Sequence, residues 1–298
     1  MRLTIQLCTY NRAHLLGRVL DGCFEQTAPA DAYEVVLVND GSRDATPAVI
    51  AAARERATCA FTVIDQENAG LARGRNAGIA RASGERIVFI DDDVLPTPAF
   101  VAEHVRSHER RPEAIWRGAV LNTSSFDRLP VPVWTPANYS ANYFWTSNVS
   151  APLELIRRVG GFTEAFREYG WEDIELGLRL RFLGTPSLFN PKALAFHFKP
   201  PPHAGQVDAM LRQARAQART AVQLAALHPH WRVTLATGDD PVRRTAHRLA
   251  RRLGVPRLLE RAVGERGGER ALSGPALAAA RALASEAYYE ELDAARRA

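Results

Sequence analysis

Short apolar segments alternate with amphipathic segments through the first hundred residues of this 298-residue chain. The apolar segments have the length and composition of buried strands, and the segments between them carry apolar residues at helical spacing. The predicted strands are residues 3–9, 33–39, 59–65 and 87–90, and the predicted helices are residues 14–25, 46–56 and 71–82. Strands that alternate with helices of this length form a mostly parallel, doubly wound sheet. The sequence therefore predicts an α/β fold with a Rossmann-like sheet.

Polar residues follow three of the predicted strands, in segments 9–12 (Thr-Tyr-Asn-Arg), 40–42 (Asp-Gly-Ser) and 91–93 (Asp-Asp-Asp). In doubly wound sheets, ligands bind beyond the carboxyl ends of the strands. Because these ends share one edge of a parallel sheet, we expect the three segments to meet there. Asp40 is suited to bind a nucleobase or ribose hydroxyls, and a turn or helix-cap role is the alternative.

The run of three aspartates is the most unusual of these segments. Adjacent carboxylates repel one another, whereas a divalent cation stabilises them, because hard oxygen ligands suit Mg²⁺ or Mn²⁺. Proteins commonly hold such ions with one or two carboxylates together with the phosphates of a substrate. An acidic turn at the end of a strand is the alternative interpretation of this tripeptide alone.

Three further features carry possible chemistry. Residues 68–78 lead from a loop into a helix and combine glycines with arginines, which favours phosphate, although no nucleoside-triphosphatase or dinucleotide motif is present. Glu172 and Asp173 follow a Gly-Trp turn and begin a predicted helix, where they serve either as caps or as a general base. Short strands are predicted at residues 187–189 and 193–198. His197 lies in the second of these, an apolar strand, either as a core residue or as a metal ligand.

The C-terminal third has a different composition. Residues 201–298 contain 16 arginines and 10 acidic residues, and they form three predicted helical segments, 205–228, 241–263 and 275–296. Interleaved acids and the lack of an aromatic platform argue against nucleic-acid binding. A helical packing or dimerisation region with solvated arginines is predicted, and contact of the basic amphipathic helix over residues 243–253 with a membrane surface is the alternative.

The location of the protein is also constrained. Cys8, Cys23 and Cys59 are few and unclustered, which predicts neither a disulfide framework nor a zinc site. No signal peptide is recognised, and no apolar run approaches the roughly 20 residues needed to span a bilayer. We therefore expect a cytoplasmic protein, either free or peripheral at the inner face of the membrane.

Residues 110–150, rich in Pro, Trp and Asn, are expected to be irregular loops facing a substrate.

Six segments, taken in this order, resemble the inverting family-two glycosyltransferases of GT-A fold. They are residues 8–12, 38–42, 68–78, 91–93, 160–162 and 170–173. The resemblance implies a GT-A domain over residues 1–200, and the basic α-helical region over residues 201–298 lies outside it. The implied activity is metal-dependent, inverting transfer of a sugar from a nucleotide-diphospho-sugar, with UDP preferred, to an acceptor hydroxyl. The acceptor class is a glycan, a lipid-linked molecule or a small molecule.

The resemblance also implies roles for individual residues. The implied donor-binding residues are Thr9, Tyr10, Asn11, Arg12, Asp40, Arg75, Asp91 and Asp92. The implied ligands of Mn²⁺ or Mg²⁺ are Asp91, Asp93 and His197, and Asp173 is the implied general base, beside Glu172. Trp145, Asn148 and Trp171 are candidates for contact with the sugar or the acceptor, with a core position as the alternative for both tryptophans.

Two other functions fit parts of the pattern. A sugar nucleotidyltransferase also uses an α/β sheet and aspartate-bound metal, but it needs a glycine-rich basic loop after the first strand, which residues 8–12 lack. A non-catalytic subunit that binds a nucleotide-sugar is the second alternative, and the intact Glu172-Asp173 pair argues against it. The sequence selects neither the sugar nor the acceptor.

Overall fold

The computed structural model describes residues 1–297 and divides into two compact units. The first unit combines Met1–Arg167 with Glu172–Pro200, and the second combines Glu168–Trp171 with the chain from Pro201 onward. The chain thus leaves the first unit for four residues and returns to it at the start of a helix.

A mixed sheet forms the centre of the first unit. Within the described residues it has eight strands, in the spatial order β3-β2-β1-β4-β7-β6-β8-β5. The strands are β1 (Leu3–Thr9), β2 (Tyr33–Asp40), β3 (Ala60–Gln66), β4 (Arg86–Phe89), β5 (Val94–Pro96), β6 (Ile115–Thr123), β7 (Val149–Pro152) and β8 (Ser187–Phe198). β1 to β4 pair in parallel, as do β6 and β8, whereas β7 and β5 pair antiparallel with their neighbours. The predicted doubly wound, mostly parallel architecture is confirmed.

Helices pack on both faces of this sheet. They are α1 (Ala13–Phe24), α2 (Thr46–Arg54), α3 (Leu71–Arg81), α4 (Phe100–Arg110), α5 (Leu153–Arg158) and α6 (Glu172–Phe182). Along β4, Val88 belongs to one apolar cluster with α1, whereas Ile87 and Phe89 belong to another with α3 and α6. Successive side chains of a strand point to opposite faces, so each helical layer packs against its own face of the sheet.

The region expected to be irregular contains a strand, β6, at residues 115–123. Propensity alone does not reveal it, because Gly118 interrupts the strand pattern and the strand is fixed by pairing with distant β8. A Cβ atom at Gly118 would collide with the carbonyl of Ala193 and the side chain of Asn148. Close approach of backbone therefore explains this glycine.

β8 replaces two separately predicted strands, 187–189 and 193–198. Gly118 pairs with Asn190 and the next residue, Ala119, pairs with Leu194, so residues 191–193 bulge out of the ladder. The sequence pattern breaks at Pro191, which cannot donate a ladder hydrogen bond. The strand continues past this bulge as a single element.

The second unit is helical. Its helices are α7 (Val207–Leu227), α8 (Trp231–Thr237), α9 (Pro241–Arg252), α10 (Val255–Val263) and α11 (Gly274–Ala295). The predicted segment 241–263 is two helices, because Gly254 adopts a left-handed conformation (φ +74°) between them. Side chains of α7, α10 and α11 share an apolar cluster that includes Leu211, Val263 and Leu283. Among residues 1–297, no helix is long and apolar enough to cross a membrane.

Candidate active site

The polar segments that follow β1, β2 and β4 lie together at one edge of the sheet. The N–H of Asn11 donates to Ser42 Oγ at 3.0 Å, and Asn11 Oδ1 accepts the N–H of Arg43 at 2.8 Å. The Thr9 hydroxyl donates to Asp92 Oδ2 at 2.8 Å. Asn11 has a positive φ of 54°, which asparagine tolerates better than most residues. The three strand ends therefore form one continuous polar surface.

Asp40 holds the loop that leads into α3. Its carboxylate, buried at the end of β2, accepts hydrogen bonds from Gln66 Nε2 at 2.7 Å and from the N–H groups of Ala69 and Gly70 at 3.0 and 3.1 Å. These contacts do not cap the helix that begins at Thr46; they fix the glycine-containing loop beside the strand ends.

The three aspartates point to different partners. Asp91 accepts from Arg75 at 3.0 Å and from the Ser147 hydroxyl at 2.6 Å. Asp92 lies 3.6 Å from Arg12 as well as beside Thr9, and burial raises its pKa to about 7 against the lowering effect of the Arg12 charge. Asp93 Oδ1 lies 3.6 Å from His197 Nε2. The aspartates thus do not form one carboxylate cluster.

Arg75 joins the aspartate run to the start of α6. Its guanidinium donates to Glu172 Oε1 at 2.7 Å, to Asp91 Oδ1 at 3.0 Å and to the Thr146 hydroxyl at 2.7 Å. It is only 3% exposed and lies over the ring of Phe162 at 5.2 Å. One buried cation is therefore shared by two carboxylates that are 81 positions apart in the sequence.

Asp173 occupies the first turn of α6, next to Glu172. Within residues 1–297 its carboxylate accepts one hydrogen bond, from the N–H of Ile174 at 2.7 Å. Burial, followed by the negative charge of Glu172, raises the pKa of Asp173, and the charge of Arg75 acts in the opposite direction. Its carboxylate therefore keeps lone pairs available for a proton, whereas Glu172 is tied to Arg75.

The Asp93–His197 pair fits a divalent cation better than the predicted set of three ligands does. β8 pairs with β5 so that His197 lies opposite Val94, directly after Asp93. A carboxylate oxygen and an imidazole nitrogen are suitable donors for Mn²⁺ or Mg²⁺. Asp91, the third predicted ligand, has both oxygens engaged by Arg75 and Ser147. No group of three or more His, Cys, Asp or Glu side chains in the described part of the chain is arranged to hold a metal ion.

Asn148 lies in the interior, where its side-chain amide has no polar atom available for the sugar contact predicted from the sequence. It is 1% exposed, its Oδ1 lies 2.9 Å from His104 Nε2, and its Nδ2 donates to the carbonyls of Ala119 and Ala193. Burial lowers the pKa of His104 to about 4, so this imidazole is neutral at ordinary pH. Asn148 therefore ties α4 to β6 and β8.

The remaining predicted residues lie in different surroundings. Tyr10 is 47% exposed at the sheet edge, and Trp145 is half-buried. Trp171 belongs to the second unit, where its indole N–H donates to the carbonyl of Gln217 at 2.8 Å. Sequence reasoning missed Thr146 and Ser147, whose hydroxyls bond Arg75 and Asp91; their position between Trp145 and Asn148 was the available signal.

Comparison with known proteins finds similarity to glycosyltransferases. Residues 4–159 match the family model described as Glycosyl transferase family 2. Validoxylamine A glucosyltransferase from Streptomyces hygroscopicus subsp. jinggangensis is 31% identical over a 222-residue alignment, and the match covers 62% of this chain and 52% of that protein. The chain thus spans about half the length of the two validoxylamine A glucosyltransferases that it matches.

Two solved structures share the fold. The mannosyltransferase PcManGT from Pyrobaculum calidifontis, in complex with GDP-Man and Mn²⁺, has a TM-score of 0.61 and 22% identity over 99% of this chain and 86% of that one. S. aureus TarS 1–349, in complex with UDP, has a TM-score of 0.58 and 18% identity over 100% of this chain and 92% of that one. The predicted GT-A fold is confirmed by these neighbours, and the match to the family model over more than half of the sequence shows that the chain belongs to glycosyl transferase family 2.

Proposed function

We propose that this protein is a metal-dependent, inverting glycosyltransferase that moves a sugar from a nucleotide-diphospho-sugar to an acceptor hydroxyl. The observation that supports the proposal is the arrangement around Arg75, whose guanidinium bonds both Asp91 and Glu172, the residue directly before the available carboxylate of Asp173. Family membership supports the same activity, as do the nucleotide and nucleotide-sugar bound by the structural neighbours.

The donor nucleoside would bind where the segments after β1 and β2 meet. Thr9, Asn11, Arg12 and Asp40 surround this surface, and the exposed ring of Tyr10 lies at its rim. Arg12 lies 3.6 and 3.7 Å from Asp92 and Asp93 and is 42% exposed, so its charge remains accessible to a diphosphate. UDP is the preferred nucleotide of the proposal.

Asp93 and His197 would hold the divalent cation, Mn²⁺ or Mg²⁺. When bound there, the ion supplies Lewis-acid stabilisation of the negative charge on the leaving nucleoside diphosphate. Asp91 and Asp92 remain hydrogen-bonded to protein groups and shape the surface around this pair.

Asp173 would accept the proton of the acceptor hydroxyl while that oxygen attacks the anomeric carbon. The bond between the anomeric carbon and the diphosphate oxygen breaks in the same step, so the single displacement inverts the anomeric configuration. A raised pKa brings a carboxylate base closer to neutral pH, where general-base catalysis is most effective. Arg75 acts as a positioning residue, because it holds Glu172, the residue directly before this base, together with Asp91.

The test combines donor binding with turnover. Calorimetry and sugar release are measured with UDP-, GDP- and dTDP-sugars, with and without Mn²⁺, for the wild type, Asp173→Asn and the control Glu113→Gln. Glu113 is a surface carboxylate, 57% exposed and 3.5 Å from Arg111. We expect Asp173→Asn to bind donor normally and lose turnover, while the control keeps both. A wild type that binds donor and metal but releases no sugar from any of the donors would instead identify a non-catalytic binding subunit.

A further inference from the structure

Helix α9 turns its basic residues toward α11 and its aliphatic residues toward solvent. Arg248 donates to both carboxylate oxygens of Asp293, at 2.8 and 2.6 Å, and Arg251 donates to the same group at 3.0 Å. His247 Nδ1 lies 2.5 Å from Glu286 Oε1. The basic side of this helix, which the sequence suggested for a membrane surface, is thus engaged within the protein.

The opposite side of α9 carries an aliphatic stripe. Val242, Leu249 and Leu253 are separated by seven and four residues, which places them along one side of a helix. Their side chains are 78%, 54% and 70% exposed. Rotating α9 to hide this stripe would break the ion pairs with Asp293 and Glu286, so the aliphatic residues are held in solvent by the pairing on the other side.

The neighbouring helices of the same unit continue this pattern. On α8, Trp231 and Leu235 lie one turn apart and are 60% and 65% exposed, and on α10 Leu258 is 59% exposed. The guanidinium of Arg232 lies 4.3 Å from the Trp231 ring centroid. We call these exposed side chains the apolar face; it consists of Trp231, Leu235, Val242, Leu249, Leu253 and Leu258. The α9 stripe is contiguous along one side of its helix, and contiguous exposed apolar side chains mark surfaces that bind a partner or a membrane.

The charges around the apolar face are positive. Residues 231–263 contain eight arginines and three acidic residues, a net charge of +5 with histidine neutral. The acidic residues are occupied: Asp239 pairs with Arg244 and Arg296, Asp240 caps α9, and Glu260 pairs with Arg266.

Several arginines remain unpaired beside the aliphatic residues. Arg252, Arg257 and Arg261 are exposed and have no acidic partner among residues 1–297. Arg252 lies next to Leu253, and Arg257 and Arg261 flank Leu258 on α10. The apolar face is therefore accompanied by accessible positive charge.

We propose that the apolar face binds an anionic lipid surface. Aliphatic side chains enter the boundary between headgroups and acyl chains, while neighbouring arginines contact lipid phosphates. A tryptophan with a stacked arginine suits the same boundary, because the ring is apolar and the guanidinium reaches water. A symmetric contact with a second copy would bring the same unpaired arginines together, so charge favours lipid over self-association. This inference does not depend on the proposed sugar transfer.

The experiment is co-sedimentation of the full chain with vesicles of phosphatidylcholine, with and without phosphatidylglycerol, at low and high NaCl. We expect binding to the anionic vesicles that weakens with salt. The double variant Leu249→Gln/Leu253→Gln should bind at least ~10-fold more weakly, because two aliphatic side chains no longer leave water. Arg252→Gln and Arg257→Gln should each weaken binding about fivefold on anionic vesicles only.

Matched controls lie in the first unit. Leu183 is 58% exposed, close to the value for Leu249 and Leu258, and Arg158 is an exposed arginine on α5. Leu183→Gln and Arg158→Gln should leave vesicle binding unchanged, and circular dichroism should show that all variants keep the wild-type melting temperature. Absence of vesicle binding, or an equal loss in the controls, would overturn the proposal. A dimer in light scattering that Leu249→Gln/Leu253→Gln dissociates, without vesicle binding, would assign the apolar face to a second copy.

Discussion

Replacing Arg75 by methionine removes the cation shared by Glu172, Asp91 and Thr146. Breaking a buried ion pair by removing one partner costs about 3–5 kcal/mol. The Asp91 side chain is 30% exposed and the Glu172 side chain 11%, so solvent screens the first pair more than the second. We therefore expect the lower end, about 3 kcal/mol, which lowers the melting temperature by roughly 6–12 °C for a unit of this size.

Arg75→Lys separates charge from geometry. Lysine keeps the positive charge, but a single ammonium does not reproduce the planar fork that reaches all three oxygens. The expected loss is about 1.5 kcal/mol, the value of one charge-assisted hydrogen bond. The matched control is Arg56→Met, because Arg56 donates to Asp21 at 3.0 and 2.8 Å on the surface, with a 46% exposed side chain. Surface pairs of this kind contribute about 0–1 kcal/mol.

Arg75→Met should also change the pH dependence of activity. The Arg75 charge lowers the pKa of Asp173, so its removal raises that pKa further. Because the base acts when deprotonated, the acid limb of the kcat/KM profile moves to higher pH in Arg75→Met. Thermal melts by circular dichroism and kcat/KM profiles measure both effects. If Arg75→Met melts within a degree or two of Arg56→Met and the acid limb stays in place, the reasoning about this cation is wrong.

Three further substitutions test the site. Asp173→Asn should lower kcat by roughly 10²–10⁴-fold. Folding raises the pKa of Asp173, so the wild type loses stability as pH rises from the unfolded to the folded pKa of this group. Melts without donor should therefore show the variant gaining stability over the wild type across that pH range. Asp93→Asn and His197→Ala should each abolish the extra thermal stabilisation that Mn²⁺ adds to nucleotide binding, and persistence of that increment would exclude the pair as the metal ligands. Asn148→Ala should cost about 2–4 kcal/mol in urea unfolding, because two carbonyls and His104 lose a buried partner; a changed acceptor KM with unchanged stability would contradict its interior role.

The edge of the sheet where the polar segments meet could be predicted from the sequence, because parallel strands place their carboxyl ends together. Segments 9–12, 40–42 and 91–93 follow from that rule without any knowledge of contacts. The partners of Arg75 could not be predicted in this way, because Glu172 lies 97 positions away and a local sequence pattern does not indicate contacts at that separation. Likewise, nothing local distinguishes the buried amide of Asn148 from an exposed one.

The orientation of α9 illustrates a second limit. Its sequence gives two well-separated faces, one aliphatic and one basic, and periodicity alone assigns the aliphatic face to the protein interior. The acidic residues that reverse this assignment, Glu286 and Asp293, lie about forty residues later on α11. Local pattern thus predicts that a helix is amphipathic, whereas distant charges decide which face is outward.

The three-residue bulge of β8 makes His197 sensitive to insertion and deletion. Residues 191–193 form an odd offset, and side chains along a strand alternate sides, so the bulge sets which side of the sheet His197 occupies. Three-residue β5 then aligns it with Asp93, whose carbonyl accepts the N–H of Phe198 at 2.8 Å. Relatives that lengthen or shorten this bulge by one residue should keep the strand but place another side chain beside the carboxylate. The spacing between residues 190 and 197 is therefore as much a part of the proposed metal site as the histidine itself.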